Sequence, residues 1–289
     1  MNFSQPWTRE PACDPRPARA SSLAHSKPTN PPDPMKIHRS LAACAALLLT
    51  AAQAQTATPL DAARAAFAAN DLTQAEALLA PLTTAGARDA AAFAMLGRLR
   101  ERQHNLKDAA AAWEQATRLD GTNPEYFSSL GIALSQRMGE MNFMQQALVA
   151  GKMKKAFEKS VALDARHLPG LIGLARYYTN APEIAGGSPE KAREFARRVG
   201  GIVPFLGEIE LGLVDEHDEK YPEALAHFVA AAGLDPASAD AQNLAGRTLA
   251  RLGRKQEARA RFEAALKQNP GLGSARNALA ELDRPAAGP

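Results

Sequence analysis

The sequence predicts an all-α protein, a right-handed superhelical solenoid of about six helix pairs closed by a C-terminal capping helix. Three observations predict it. Gly246, Ala258, Phe262, Ala265 and Pro270 in residues 239–272 repeat the ladder Gly212, Ala224, Phe228, Ala231 and Pro236 of residues 205–238, with identical offsets and a stride of 34 residues. That period is the mark of a two-helix repeat unit. Each ladder closes on a proline, which lacks the N–H that would continue a helix. The composition is alanine-rich, with only 6% aromatic residues and few β-branched ones, and so favours helix over strand.

Within a unit the glycine belongs to the first helix and the alanine twelve residues later to the second, so that the two backbones can approach. The phenylalanine is expected to fill the space between that pair and the next unit, and the alanine three residues on to leave room for the following first helix. One pair cannot bury its apolar face alone, so the units must stack.

These residues resemble the tetratricopeptide repeat (TPR) family, whose pattern is an aromatic, Leu-Gly, an aromatic, Ala, Phe and Pro. The match is good in the second half of each unit. Glu208 and Gln242 stand where the family has a large aromatic, and Asp215 stands where it has Tyr. The resemblance implies a concave groove, lined by successive first helices, in which basic and Asn side chains hold partner carboxylates.

Taken in order, residues 1–34 are proline-rich, lack apolar periodicity and are expected to be disordered. Residues 35–54 have the form of a secretory signal peptide. Lys36 and Arg39 precede an apolar run that ends in Ala52-Gln53-Ala54, so cleavage is expected after Ala54 and the mature protein is expected in the periplasm or outside the cell. Such a signal belongs at an N-terminus. Met35 is therefore read as the start and residues 1–34 as an upstream extension, a genuine leader being the alternative. The run is too short to span a membrane, which takes about 20 apolar residues, and no stable membrane insertion is expected. Cys13 and Cys44 are the only cysteines, which leaves the mature chain without a thiol.

The solenoid is expected over residues 55–289. The first unit, 56–89, has a degenerate ladder, as a terminal unit should. The second, 90–123, carries Phe93, Leu96, Gly97, Ala109, Trp113 and Ala116. The third, 124–167, begins alike with Phe127, Leu130 and Gly131, but its closing segment arrives ten residues late. The extra material lies within 136–152, where Met138, Met141 and Met144 are spaced to share one helical stripe. The stripe reads either as an adaptable binding surface or as core filling for lengthened helices. The fourth unit, 168–204, has a loop about five residues longer than a plain turn, ending in Gly186-Gly187-Ser188-Pro189. Units 205–238 and 239–272 follow, then a capping helix over 273–283.

The lengthened third unit and the Ala-Pro…Gly-Gly loop are also similar to a group of bacterial periplasmic TPR proteins, some attached to solute-uptake systems of the TRAP type. That similarity implies a second functional reading, a solute-binding accessory of a transport system. Its enclosed pocket of ~300–1,000 Å³ would be walled by residues 138–157 with Tyr177 and Tyr178.

Charge and chemistry narrow the function. Of 34 Lys/Arg and 31 Asp/Glu, six and three fall in residues 1–54, leaving 28 of each beyond. A formally neutral repeat region gives no electrostatic case for nucleic-acid binding. His104, His167, His217 and His227 form no i, i+4 pair, and no nucleophile has an assignable base. No enzymatic activity, cofactor or metal is expected. The expected function is a scaffold that binds a protein or peptide in its groove. Candidate groove residues are Arg98, Arg102, Arg176, Asn180, Asn243, Arg247 and Arg251, with Gln136 also turned inward. Asn243, Arg247 and Arg251 are aligned by their spacing of four, and Arg98 and Arg102 follow Gly97 as Arg247 and Arg251 follow Gly246.

Overall fold

A computed structural model describes residues 58–284. The expected leader, the expected signal peptide with its cleavage site, both cysteines and residues 285–289 lie outside the described residues. Thirteen helices follow one another among those described: α1 (Pro59–Ala68), α2 (Leu72–Leu79), α3 (Ala90–Arg102), α4 (Leu106–Leu119), α5 (Pro124–Arg137), α6 (Phe143–Leu163), α7 (Leu168–Asn180), α8 (Pro189–Gly200), α9 (Pro204–His217), α10 (Tyr221–Leu234), α11 (Ala239–Arg251), α12 (Lys255–Gln268) and α13 (Gly273–Leu282). They pack as consecutive pairs, each pair on the next, and α13 closes the end. No described residue is in a strand.

The ladder packs as expected, with one addition. Phe228 shares a core with Ala241 and Ala245 of the next unit and Phe262 with Ala275 of α13, and each large ring also lies on the glycine of its own first helix. A Cβ on Gly97 would stand 2.7 Å from the Trp113 indole, one on Gly131 2.6 Å from Phe157, one on Gly212 2.5 Å from Phe228 and one on Gly246 2.7 Å from Phe262. The glycine is therefore a seat for the ring sixteen residues on. In the third unit the interval is 26, because ten residues are inserted without disturbing the contact. Phe157 also reaches forward, and a Cβ on Gly173 would overlap its ring. The fourth unit shows the complementary choice. Ala175 replaces the glycine and Ala196 the ring, and both are buried.

The turns repeat as closely as the core. Asn70, His104, Glu219 and Gly253 all have φ between 58° and 74°, at the same phase of the first, second, fifth and sixth units. In each, the next residue's N–H donates to the carbonyl five residues back, as in Asp71 to Ala66 and Lys220 to Asp215. This is a left-handed helix C-cap of the Schellman type.

Polar pairs stand where the family pattern has rings. Glu208 meets His227 Nδ1 at 2.7 Å, and Arg261 donates to Gln242 Oε1 at 2.9 Å, both across 19 residues. At the Tyr position, Arg100 pairs with Glu76 and Asp215 with Arg193, each across to the preceding second helix at 2.7 Å.

The insertion goes mainly into α6, which has 21 residues where α4, α10 and α12 have 14. The methionine stripe does not form. Met138 ends its helix in a 3-10 turn, Met141 is extended, and Asn142 starts α6 with a capping box to Gln145. Met138 is buried, whereas Met144 is exposed.

Candidate functional site

Successive first helices line one face of such a stack. A cleft opens there between α3 and α5. It measures about 200 Å³ and is floored by Ala91, Ala94 and Met95, with Arg64, Arg98, Asn123, Glu125 and Tyr126 around it. Arg98 Nη2 is 3.5 Å from Glu125 Oε1, and the two side chains are 52% and 42% exposed. Arg64 is held by Asp61 one turn away on α1 at 3.0 Å. This is a loosely paired, solvated site, able to exchange an internal carboxylate for one from a partner.

The other sequence candidates are engaged more firmly. Arg102 donates to Asn70 Oδ1 at 3.1 Å, with its guanidinium 4.7 Å from the Phe67 ring centroid, so it turns back toward the first unit. Arg176 makes three contacts of 2.6–3.1 Å with Glu210, whose side chain is 2% exposed. Burial works against the charge of Arg176, but Glu210 more than offsets it and holds the pKa above the ordinary arginine value. Asn180 Nδ2 donates to the Arg176 carbonyl at 2.8 Å.

Asn243, Arg247 and Arg251 share one face of α11 yet serve three neighbours. Asn243 donates to Ser274 Oγ at 3.2 Å, Arg247 to Glu216 at 2.9 Å and Arg251 to the Tyr221 hydroxyl at 3.1 Å. The parallel between Arg98/Arg102 and Arg247/Arg251 breaks here, since Arg98 reaches forward to α5 while Arg247 reaches back to α9. What sequence reasoning missed was the carboxylates Glu125, Glu210 and Glu216. The signal for one was present, because Glu210 stands one 34-residue stride after Arg176.

The residues that would wall a solute pocket are in the core instead. Met138, Met153, Phe157, Tyr177 and Tyr178 are buried in one cluster. The Tyr177 hydroxyl donates to the Ala185 carbonyl at 2.6 Å and pins the long loop, while a Cβ on Gly187 would collide with the Ala181 carbonyl. That loop is a built structural element.

Among the described residues no group of three His, Cys, Asp or Glu could hold a metal ion. No described helix is long and apolar enough to cross a membrane.

The tetratricopeptide repeat model matches residues 60–131 and 210–282, half of the chain. The chain belongs to the tetratricopeptide repeat family. Three solved structures place this TPR chain among known solenoids. PilW, a widely conserved type IV pilus biogenesis factor, is 15% identical, with a TM-score of 0.62 over 79% of this chain and 100% of its own. TTC0263, a thermophilic TPR protein of Thermus thermophilus, is 19% identical, with a TM-score of 0.55 over 67% of this chain and 98% of its own. The Cut9–Hcn1 hetero-tetramer of the APC/C is 14% identical, with a TM-score of 0.58 over 78% of this chain and 42% of its own. At these identities the likeness concerns the TPR fold. No curated protein matches the chain.

Proposed function

We propose that the chain is a non-enzymatic scaffold that binds a protein or peptide partner in its concave groove, after export to the periplasm or the cell exterior. The observation that carries this reading is the cleft between α3 and α5, where Arg64 and Arg98 stand half-exposed beside an apolar floor of Ala94 and Met95. An arginine with a weak internal partner suits a carboxylate, and the floor suits a small apolar side chain beside it.

Arg98 leads the proposed contact set. Arg102, Asn180 and Arg251 shape the groove's edge and length, while Arg176, Asn243 and Arg247 mainly hold neighbouring helices in place. Export rests on the basic segment, apolar run and A-x-A site of residues 35–54. The alternative, a solute-binding accessory, draws no support from the packed 138–157 segment. The scaffold reading assigns no catalytic residue and no cofactor.

Affinity purification from envelope fractions tests it, comparing wild type with Arg98→Glu and with the double variant Arg247→Glu/Arg251→Glu. The expected result is a specific partner lost from Arg98→Glu and weakened in the double variant. Full retention by both contradicts the groove.

A further inference from the structure

The internal partner of Arg98 is itself shared. Glu125 Oε1 is 3.5 Å from Arg98 Nη2 on α3 and accepts from the Ser129 hydroxyl at 3.4 Å. Glu125 Oε2 is 3.7 Å from Nε2 of His167, the N-cap of α7. One carboxylate therefore lies between the arginine of the concave cleft and a histidine at the start of the fourth unit.

Local rules fix the arrangement. Asn123 caps α5 by accepting from the Glu125 N–H at 3.0 Å, which sets Glu125 in the first turn. The His167 N–H donates to the Asp164 carbonyl at 3.0 Å, and this turn brings the imidazole against α5. The His167 side chain is only 12% exposed and that of Glu125 is 42% exposed. The ring is the fixed member of the pair, and the carboxylate is the one with room to move.

Neutral His167 has a single N–H, and Ser128 Oγ receives it at 2.9 Å. The Glu125 carboxylate is then left to Arg98 and Ser129. A protonated ring places a positive charge 3.7 Å from Oε2, in a site where burial limits screening. The groups around the ring are few. Glu125 of α5 and Asp164 at the end of α6 favour the charged form, and burial opposes it more strongly. Arg198 of α8 donates to the Ala165 carbonyl of the same turn at 3.1 Å, and Glu210 of α9 is taken up by Arg176, nine residues along the chain from His167. The ring is accordingly neutral at neutral pH and charges in mildly acidic solution.

We propose, on the footing of the groove reading of Arg98, that His167 is a pH-sensing positioning residue for the concave cleft: on taking up a proton it draws Glu125 from Arg98 and opens that arginine to a partner's carboxylate. Acidic partners are then held more tightly in mildly acidic surroundings.

The probe is the peptide acetyl-Ala-Glu-Ala-amide, titrated into the full chain and followed by NMR at the Met95 methyl and the Arg98 side chain. Between about pH 7.5 and 5 the wild type should gain about threefold in affinity relative to His167→Gln, the size expected for a partly exposed ion pair. His167→Gln keeps a donor for Ser128 but cannot charge, and comparison with it cancels the peptide's own titration. Glu125→Gln should bind at about pH 7.5 as tightly as wild type does at about pH 5. Without peptide, the carbon-13 resonance of the Glu125 carboxyl should move with the His167 ring titration and lose that step in His167→Gln. Binding that Arg98→Glu abolishes, with one pH profile for wild type and His167→Gln, leaves the groove intact and overturns the proposal. A Glu125 resonance indifferent to the His167 titration overturns it as well. No binding at either pH, or binding that Arg98→Glu leaves unchanged, removes the groove reading and the proposal with it.

Discussion

Arg176 on α7 and Glu210 on α9 stand one 34-residue stride apart and close a bidentate ion pair, with Nη2 2.6 Å and Nε 3.0 Å from Oε1 and Nε 3.1 Å from Oε2. Two neighbouring units are thereby joined across their first helices. The carboxylate is almost wholly buried, so removing its partner strands a charge. Arg176→Ala is expected to cost about 3–5 kcal/mol, whereas Arg176→Met with Glu210→Leu should recover most of that loss. Urea unfolding of the two variants checks the contrast. A double variant no more stable than the single one would contradict it.

The ring seat makes opposite predictions for two glycines of the same region. A Cβ at position 173 would overlap the Phe157 ring, but one at position 151 meets nothing within 4 Å. Gly173→Ala should therefore destabilise by about 1–3 kcal/mol through overpacking, and Phe157→Leu in that background should restore part of it. Gly151→Ala, inside α6, should stabilise by up to about 1 kcal/mol through helix propensity. Thermal unfolding midpoints read both signs.

Glu219 holds φ +60° in an exposed turn where the sixth unit, at the same phase, has Gly253. A side chain in that conformation costs roughly 1–2 kcal/mol, partly offset by the backbone entropy a glycine loses on folding. Glu219→Gly is expected to stabilise by about 0.5 kcal/mol, and Gly253→Glu to do the reverse. Matched melts of the two variants are the check.

His167 joins the third unit to the fourth. Its Nε2 lies 2.9 Å from Ser128 Oγ, whose hydroxyl donates to the Glu125 carbonyl at 3.0 Å, so the network assigns the imidazole proton to Nε2. Burial pushes the His167 pKa below its ordinary value of 6.5, against the opposing pull of Glu125 and Asp164. The unfolded chain then binds the proton first, and stability falls as pH drops below about 6.5. Wild type should lose more thermal stability between about pH 6.5 and 5 than His167→Asn does. Parallel pH profiles would contradict this.

The stacking and its stride were legible because they rest on residues at fixed offsets: Gly212 and Phe228, Gly246 and Phe262. The offset alone did not say that the glycine seats the ring, since a gap between units would have demanded the same residue types. The methionine stripe failed because a spacing of three means one face only if the helix is unbroken, and Asn142 caps a new one. The arginines looked free because their carboxylates lie 27 to 34 residues away, on neighbouring first helices. The polar pairs Glu208–His227 and Gln242–Arg261 were readable in principle, as both span 19 residues.

The groove reading is tested most directly by hydrogen–deuterium exchange of the chain with and without its purified partner. The account predicts slowed exchange in α3 and the start of α5, around Met95, Arg98 and Glu125, abolished by Arg98→Glu. Protection confined to the second helices α8, α10 and α12, with α3 and α5 unchanged, would contradict it.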